Sequence, residues 1–171
     1  NYTLLEVGLG GRLDATNVID TPKLCVIAPI SIDHEALLGD TLAKIAFEKA
    51  GIIKKGVPVV VGPQPKEAMG VIETVAEKYH APVIAYGRHW HACHAKDRLI
   101  FRDEKGLCDL PLPALPGAHQ IANAGMAIAV LRHLGLGQDT LEGALTKAHW
   151  PARLQHLASG NLVEVAGTAE L

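Results

Sequence analysis

Aromatic side chains are nearly missing from this sequence. Two Phe, three Tyr and two Trp amount to 4% of 171 residues, while apolar residues as a whole reach 49%. Any core must therefore be built from Val, Ile, Leu and Ala, the composition of helices packed on a buried sheet. Cysteine is scarce too. Cys25, Cys93 and Cys108 are odd in number and lack metal-ligand spacing, so thiols in a cytoplasmic setting are expected rather than disulfides. No run approaches the about 18 apolar residues needed to cross a bilayer, and neither a membrane span nor a secretory leader is expected. Sixteen basic and eighteen acidic residues leave a formal charge of −2 with no basic run, which argues against a nucleic-acid partner. A few phosphates, as in ATP, need no basic surface, because backbone N–H groups and one or two side chains can hold them.

What is present alternates in type along the chain. Residues 3–7 form a short apolar run that reads as a strand and ends in the turn Gly8-Leu9-Gly10-Gly11. Residues 24–30 form a second run, opening into Ser31-Ile32-Asp33-His34. A helix is expected over 41–54, since Leu42, Ile45, Ala46, Lys49, Ile52 and Ile53 recur at helical spacing. Thr41 or Asp40 would cap its start, and Gly56 with Pro58 would stop it. Strands at 57–61 and 82–86 flank a helix at 65–79. This β–α–β–α–β order predicts an α/β fold: a mostly parallel sheet with helical crossovers. Segments 89–94, 98–102 and 106–110 then read as a small antiparallel β-ribbon. A proline-stiffened stretch over 111–117, helices at 119–134 and 140–148, and a strand-like piece at 162–165 follow. The expected organisation is one domain over 1–157, with the ribbon at 88–110 inside it, and a strand or linker over 158–171.

Several polar residues fall at places where chemistry is done. Glu6 lies near the carboxyl end of one apolar strand and His34 follows another, at the end where open α/β sheets bind ligands. A carboxylate there favours a cation such as magnesium, with an acid pointing into solvent as the alternative. Asp14, Thr16 and Asn17 offer a charge, a hydroxyl and an amide just beyond the glycine turn; turn formation and substrate contact are both open. Lys49 shares a helix face with Ile45, Ile52 and Ile53, so its ammonium points toward the sheet. It can snorkel to the rim, pair with Glu6, or carry a carbamate that turns it into an oxygen ligand. Asn123, early in a helix, has the donor and acceptor that would read an adenine edge, and Arg153 has a fork that suits phosphate or ribose. Each of these two has an ordinary surface reading as well.

The combination of blocks resembles one family. Glu6-Val7-Gly8-Leu9-Gly10-Gly11-Arg12-Leu13-Asp14-Ala15-Thr16-Asn17 is similar to the E-x-G-x-G-G-R-x-D-x-T-N motif of the folylpolyglutamate synthase / dihydrofolate synthase family, within the Mur ligase superfamily. Asp33-His34 with Leu38-Gly39 and Thr41, then Glu48-Lys49-Ala50-Gly51-Ile52, His119-Gln120 with Asn123-Ala124, and Arg153-Leu154-Gln155 match later blocks in order. The resemblance implies part of a P-loop NTPase-like central domain of a Mur-type ligase. It implies Glu6 and His34 as ligands of Mg2+, with Lys49 serving a second metal site when carbamylated; these three form the catalytic set. It implies Asn123 and Arg153 at ATP, and Asp14, Thr16 and Asn17 on the substrate side. The implied reaction adds L-glutamate to dihydropteroate or reduced folates through an acyl phosphate. Another Mur-type amino-acid ligase and a non-catalytic nucleotide-binding module are the competing readings. Neither the family's G-T-x-G-K-G-S/T loop nor its D-G-x-H-N-P block occurs in these 171 residues. The expectation is therefore an internal piece of the ATPase domain of a monomeric enzyme. On its own, that piece is expected to be inactive and prone to self-association through an uncovered sheet edge.

Overall fold

The computed structural model describes residues 2–151 and 161–166, which divide into two compact units, with the boundary between His91 and Ala92. In the first unit, β1 (Cys25–Ile27), β2 (Val59–Val61) and β3 (Val83–Ala85) form a parallel sheet in that order. The register pairs Val26 with Val60 and Val60 with Ile84. Val59, Val60 and Val61 are fully buried, as a central strand covered on both faces requires. Helix α1 is the single turn Glu35–Leu38. It leads into α2 (Leu42–Ala50), where the Thr41 hydroxyl accepts from the Lys44 N–H as the N-cap. Helix α3 (Lys66–Lys78) buries Ala68, Ile72 and Ala76, one residue per turn, against the core that Ile45, Ala46 and Ala50 of α2 also line.

The second sheet has the order β4-β5-β6, with β4 at Trp90–Ala95, β5 at Arg98–Asp103 and β6 at Gly106–Pro111. Lys96 and Asp97 both take positive φ (48° and 57°), the two-residue hairpin geometry whose twist matches that of its strands. β5 and β6 run antiparallel and place Leu99 opposite Leu110 and Phe101 opposite Cys108, all buried, while Arg98 and Arg102 alternate outward. Helices α4 (Ala118–His133) and α5 (Gln138–Thr146) complete this unit's core through Ala124, Ile128, Ala129, Leu141 and Leu145. Arg132 of α4 forks onto Asp103 of β5 with two 2.7 Å bonds and donates to the Cys108 sulfur at 2.6 Å. No helix among the described residues is long and apolar enough to cross a membrane.

Three expectations need correcting. Residues 3–7 are not in a strand: Leu4 is 90% exposed, and β1 pairs only with β2 among the described residues. Apolar composition gives a segment strand propensity, but a strand exists only where a neighbour accepts its hydrogen bonds. The helix expected over 41–54 ends at Ala50, because Gly51 is where another part of the chain crosses. The piece at 162–165 lies in a helix, α6 (Asn161–Ala166), since a short apolar run has too few residues for periodicity to tell helix from strand.

Candidate functional site

The glycine turn is a wound loop that closes on itself. Asp14 stands at its centre. One carboxylate oxygen accepts from the N–H groups of Gly8 and Leu9, both at 3.1 Å. The other accepts from the Thr16 N–H at 2.9 Å and the Thr16 hydroxyl at 2.6 Å. These bonds favour the ionised form. Led by the Thr16 hydroxyl and N–H, with the Leu9 and Gly8 amides adding to them, they hold the Asp14 carboxyl near 2 instead of its ordinary 3.8.

This loop is docked onto the end of α2. The Arg12 N–H donates to the Glu48 carbonyl at 2.8 Å, and the Arg12 guanidinium meets the Glu48 carboxylate at 2.9 Å while lying over the Phe47 ring. Asn17 donates from its amide to the carbonyls of Arg12 (3.1 Å) and Gly51 (3.2 Å), stitching loop to helix end. The approach is close enough to require glycine on both sides. A Cβ on Gly11 would lie 2.9 Å from Ile52 Cγ2 and 3.0 Å from the Glu48 carbonyl oxygen, and one on Gly51 would overlap the Cβ of Arg12. Asp14, Thr16 and Asn17 thus spend their hydrogen bonds on building and seating the loop, which is the turn-forming reading of these residues.

The other residues singled out from sequence sit around this frame. Lys49 is half-buried in the last turn of α2, immediately beneath the docked loop, and its ammonium forms no ion pair or hydrogen bond among the described residues. Glu6 is exposed ahead of the loop, and the Lys49–Glu6 pair that the sequence left open is not formed. His34 leads into α1 in the left-handed region (φ 51°, ψ 39°), so its carbonyl accepts from the N–H groups of Leu37 and Leu38. Its exposed ring lies 3.7 Å from the Asp33 carboxylate. As a magnesium site the donor chemistry fits, but the arrangement does not. No three His, Cys, Asp or Glu side chains gather as a metal-binding group among the described residues, so no reaction step is assigned to a metal here. An open groove of about 650 Å³ along α1 and α2 is lined by Glu35, Leu37, Lys44, Phe47 and Glu48, and includes neither His34 nor Lys49.

In the second unit, Asn123 is exposed on α4, and its amide donates to the Gln120 side-chain oxygen at 3.1 Å. That bond orients Asn123 while leaving its carbonyl oxygen and one N–H for a ligand edge. Arg153 lies outside the described residues. Sequence reasoning passed over the partnership of Arg12 with Glu48. Both occupy the motif blocks quoted above, but nothing local marks two residues 36 positions apart as a pair.

The loop carries a pH prediction. Asp14 has its folded value depressed, so its contribution is complete above the ordinary 3.8 and is lost as pH falls through about 2. Urea titrations at a series of pH values should show the wild-type chain losing stability across that window. Asp14→Asn should be weaker at neutral pH and flatter through the window; equal slopes for the two proteins would remove Asp14 from the loop's support.

No family model matches the chain. It is 36% identical over 166 residues to the dihydrofolate synthase/folylpolyglutamate synthase of Bacillus subtilis, a match covering 91% of this chain and 38% of that protein. Its fold is similar to that of E. coli FolC in complex with DHPP and ADP, with a TM-score of 0.80 and 34% identity over 90% of this chain and 36% of that one. It is similar also to an FPGS–AMPPCP–folate complex, with a TM-score of 0.81 and 33% identity over 90% of this chain and 40% of the other. The parallel sheet with helical crossovers and these matches define the class, the folate-handling synthases. Within that class, the chain belongs to the folylpolyglutamate synthase/dihydrofolate synthase family. It spans about two-fifths of the length of the relatives it matches.

Proposed function

We propose that this chain forms part of an ATP-dependent ligase that adds L-glutamate to dihydropteroate or to reduced folates. The observation that carries the reading is the 36% identity over 166 residues to a dihydrofolate synthase/folylpolyglutamate synthase, with solved neighbours that hold ADP, or AMPPCP and folate. In this reading the substrate carboxylate attacks the γ-phosphorus of ATP, ADP leaves, and an acyl phosphate forms. The amino group of glutamate then attacks the acyl carbon, phosphate departs, and the amide nitrogen gives up a proton. Asn123 and Arg153 serve the nucleotide, Asn123 through the donor and acceptor that Gln120 leaves uncommitted. Asp14, Thr16 and Asn17 hold the loop on the substrate side. Mg2+ arrives with the nucleotide phosphates; the family resemblance assigns it to Glu6, His34 and carbamylated Lys49, which do not gather into a metal-binding group among the described residues. The setting is cytoplasmic, the intact enzyme is monomeric, and these 171 residues alone turn over no substrate.

The test uses the full gene product and, separately, the 171-residue chain. Each is incubated with ATP, Mg2+, glutamate and either dihydropteroate or a reduced folate, and both phosphate and amide product are measured. Product from the first and none from the second is expected; no amide from the first with either acceptor sinks the reading. Asn123→Ala in the full product should raise the KM for ATP about fivefold, the worth of about 1 kcal/mol from one hydrogen bond, and leave the folate KM in place. A folate effect without an ATP effect would reverse the assignment.

A further inference from the structure

We infer that Gln64 is a positioning residue that sets where the exit of β1 delivers Asp33 and His34; as a statement about catalysis it rests on the function proposed above. The parallel ladder between β1 and β2 runs as far as the Gly62 N–H, which donates to the Ile27 carbonyl at 2.9 Å. Beyond it the backbone of β2 loses donors, because Pro63 and Pro65 carry no N–H. The side chain between them takes over. The Gln64 amide donates to the Ala28 carbonyl at 2.8 Å, and its oxygen accepts from the Ile30 N–H at 3.0 Å. One carboxamide thus supplies the donor and acceptor of a missing peptide group and extends the sheet by a strand step. Pro65 helps, since the residue before a proline is kept extended.

The position of this clamp gives it consequence. Ile30 is 4% exposed, whereas residues 31–37 are all exposed, and Asp33 and His34 lie among them. Between the clamp and the first turn of α1, the bond from the His34 N–H to the Asp33 carboxylate (2.8 Å) is local and fixes nothing to the sheet. Among the described residues, the bond between Ile30 and Gln64 is therefore the last attachment of this segment to the core ahead of α1. Release of Gln64 frees the chain three residues before Asp33.

The test has two arms. In the 171-residue chain, amide hydrogen exchange and backbone chemical shifts are compared for wild type, Gln64→Glu and Gln64→Met. Met keeps the length and loses both bonds, while Glu keeps the acceptor for Ile30 and loses the donor to Ala28. Ile30 should exchange about tenfold faster in the Met variant and by less in the Glu variant, with Val60 unchanged and the Asp33 and His34 signals displaced. In the full gene product, kcat should fall about tenfold for Met and less for Glu, with the KM for ATP little changed, because a misplaced group raises the barrier more than it weakens binding. Unchanged Ile30 exchange and unmoved Asp33 and His34 signals in Gln64→Met would overturn the clamp. A loosened Ile30 with wild-type kcat would overturn its part in catalysis. A wild-type product that ligates nothing defeats the proposed function instead, and the shifts at Asp33 and His34 then decide the positioning by themselves.

Discussion

Arg132→Met is expected to destabilise the second unit by about 3 kcal/mol, the largest stability effect of any single substitution considered for this chain. The arginine and Asp103 side chains are 14% and 12% exposed, and the two 2.7 Å bonds between them join α4 to β5. Methionine keeps most of the length but loses the guanidinium over Phe101 and leaves the Asp103 carboxylate with far less compensation. The double variant Arg132→Met/Asp103→Leu should recover much of the loss, since replacing both members of a buried pair by apolar groups is often near neutral. Urea unfolding of the four proteins measures this directly. A single-variant loss below about 1 kcal/mol, the range of an exposed pair, would show that solvent reaches the bridge.

Gly51→Ala should cost about 2 kcal/mol, from overpacking in a place with no room to yield. The added carbon would sit 2.6 Å from the Cα of Arg12, and that backbone is pinned by its N–H bond to Glu48. Gly143→Ala in α5 is the natural control. Nothing lies within 4 Å of a Cβ placed there, so it should gain about 0.5 to 1 kcal/mol from helix propensity. The same substitution at two glycines should thus move stability in opposite directions. A Gly51→Ala protein as stable as the parent would mean that the loop does not dock as described. In the full gene product, the same change should lower ligase turnover, because it displaces the loop that lies over Lys49.

The sequence reveals best those elements whose signals are local. The stretch over 65–79 reads as a helix between two strands, and α3 (Lys66–Lys78) matches it almost to the residue. The ribbon was legible because polar turns interrupt short alternating runs, and the parallel sheet because strand and helix segments take turns. Residues 3–7 failed because pairing is a relation between distant segments. Helix α2 was drawn too long because Ile52 and Ile53 continue its apolar rhythm, while the reason it stops is Arg12, 39 positions earlier. With the helix ending at Ala50, the buried stripe is Ile45, Ala46 and Ala50, and Lys49 lies at its margin. For the candidate site, the sequence marks residues by type and position and does not show their arrangement. For Asp14 turn formation and substrate contact were both open, and only the folded loop shows each of its oxygens engaged by loop atoms. Gln64 had no signal at all: a glutamine between two prolines reads as a linker, and only the folded partner reveals that it completes a ladder.

The order of the parallel sheet has a consequence for how the chain is made. Spatial order and chain order coincide, β1 beside β2 beside β3, with one major helix in each crossover. As the polypeptide leaves the ribosome, β2 finds β1 already synthesised and β3 finds β2, so each strand after the first of these three can pair on arrival. β2, whose three valines need cover on both faces, emerges second and is finished as soon as α3 and β3 follow. The first unit can therefore assemble in the direction of translation, with its most aggregation-prone strand uncovered only for the time it takes to add some 25 residues.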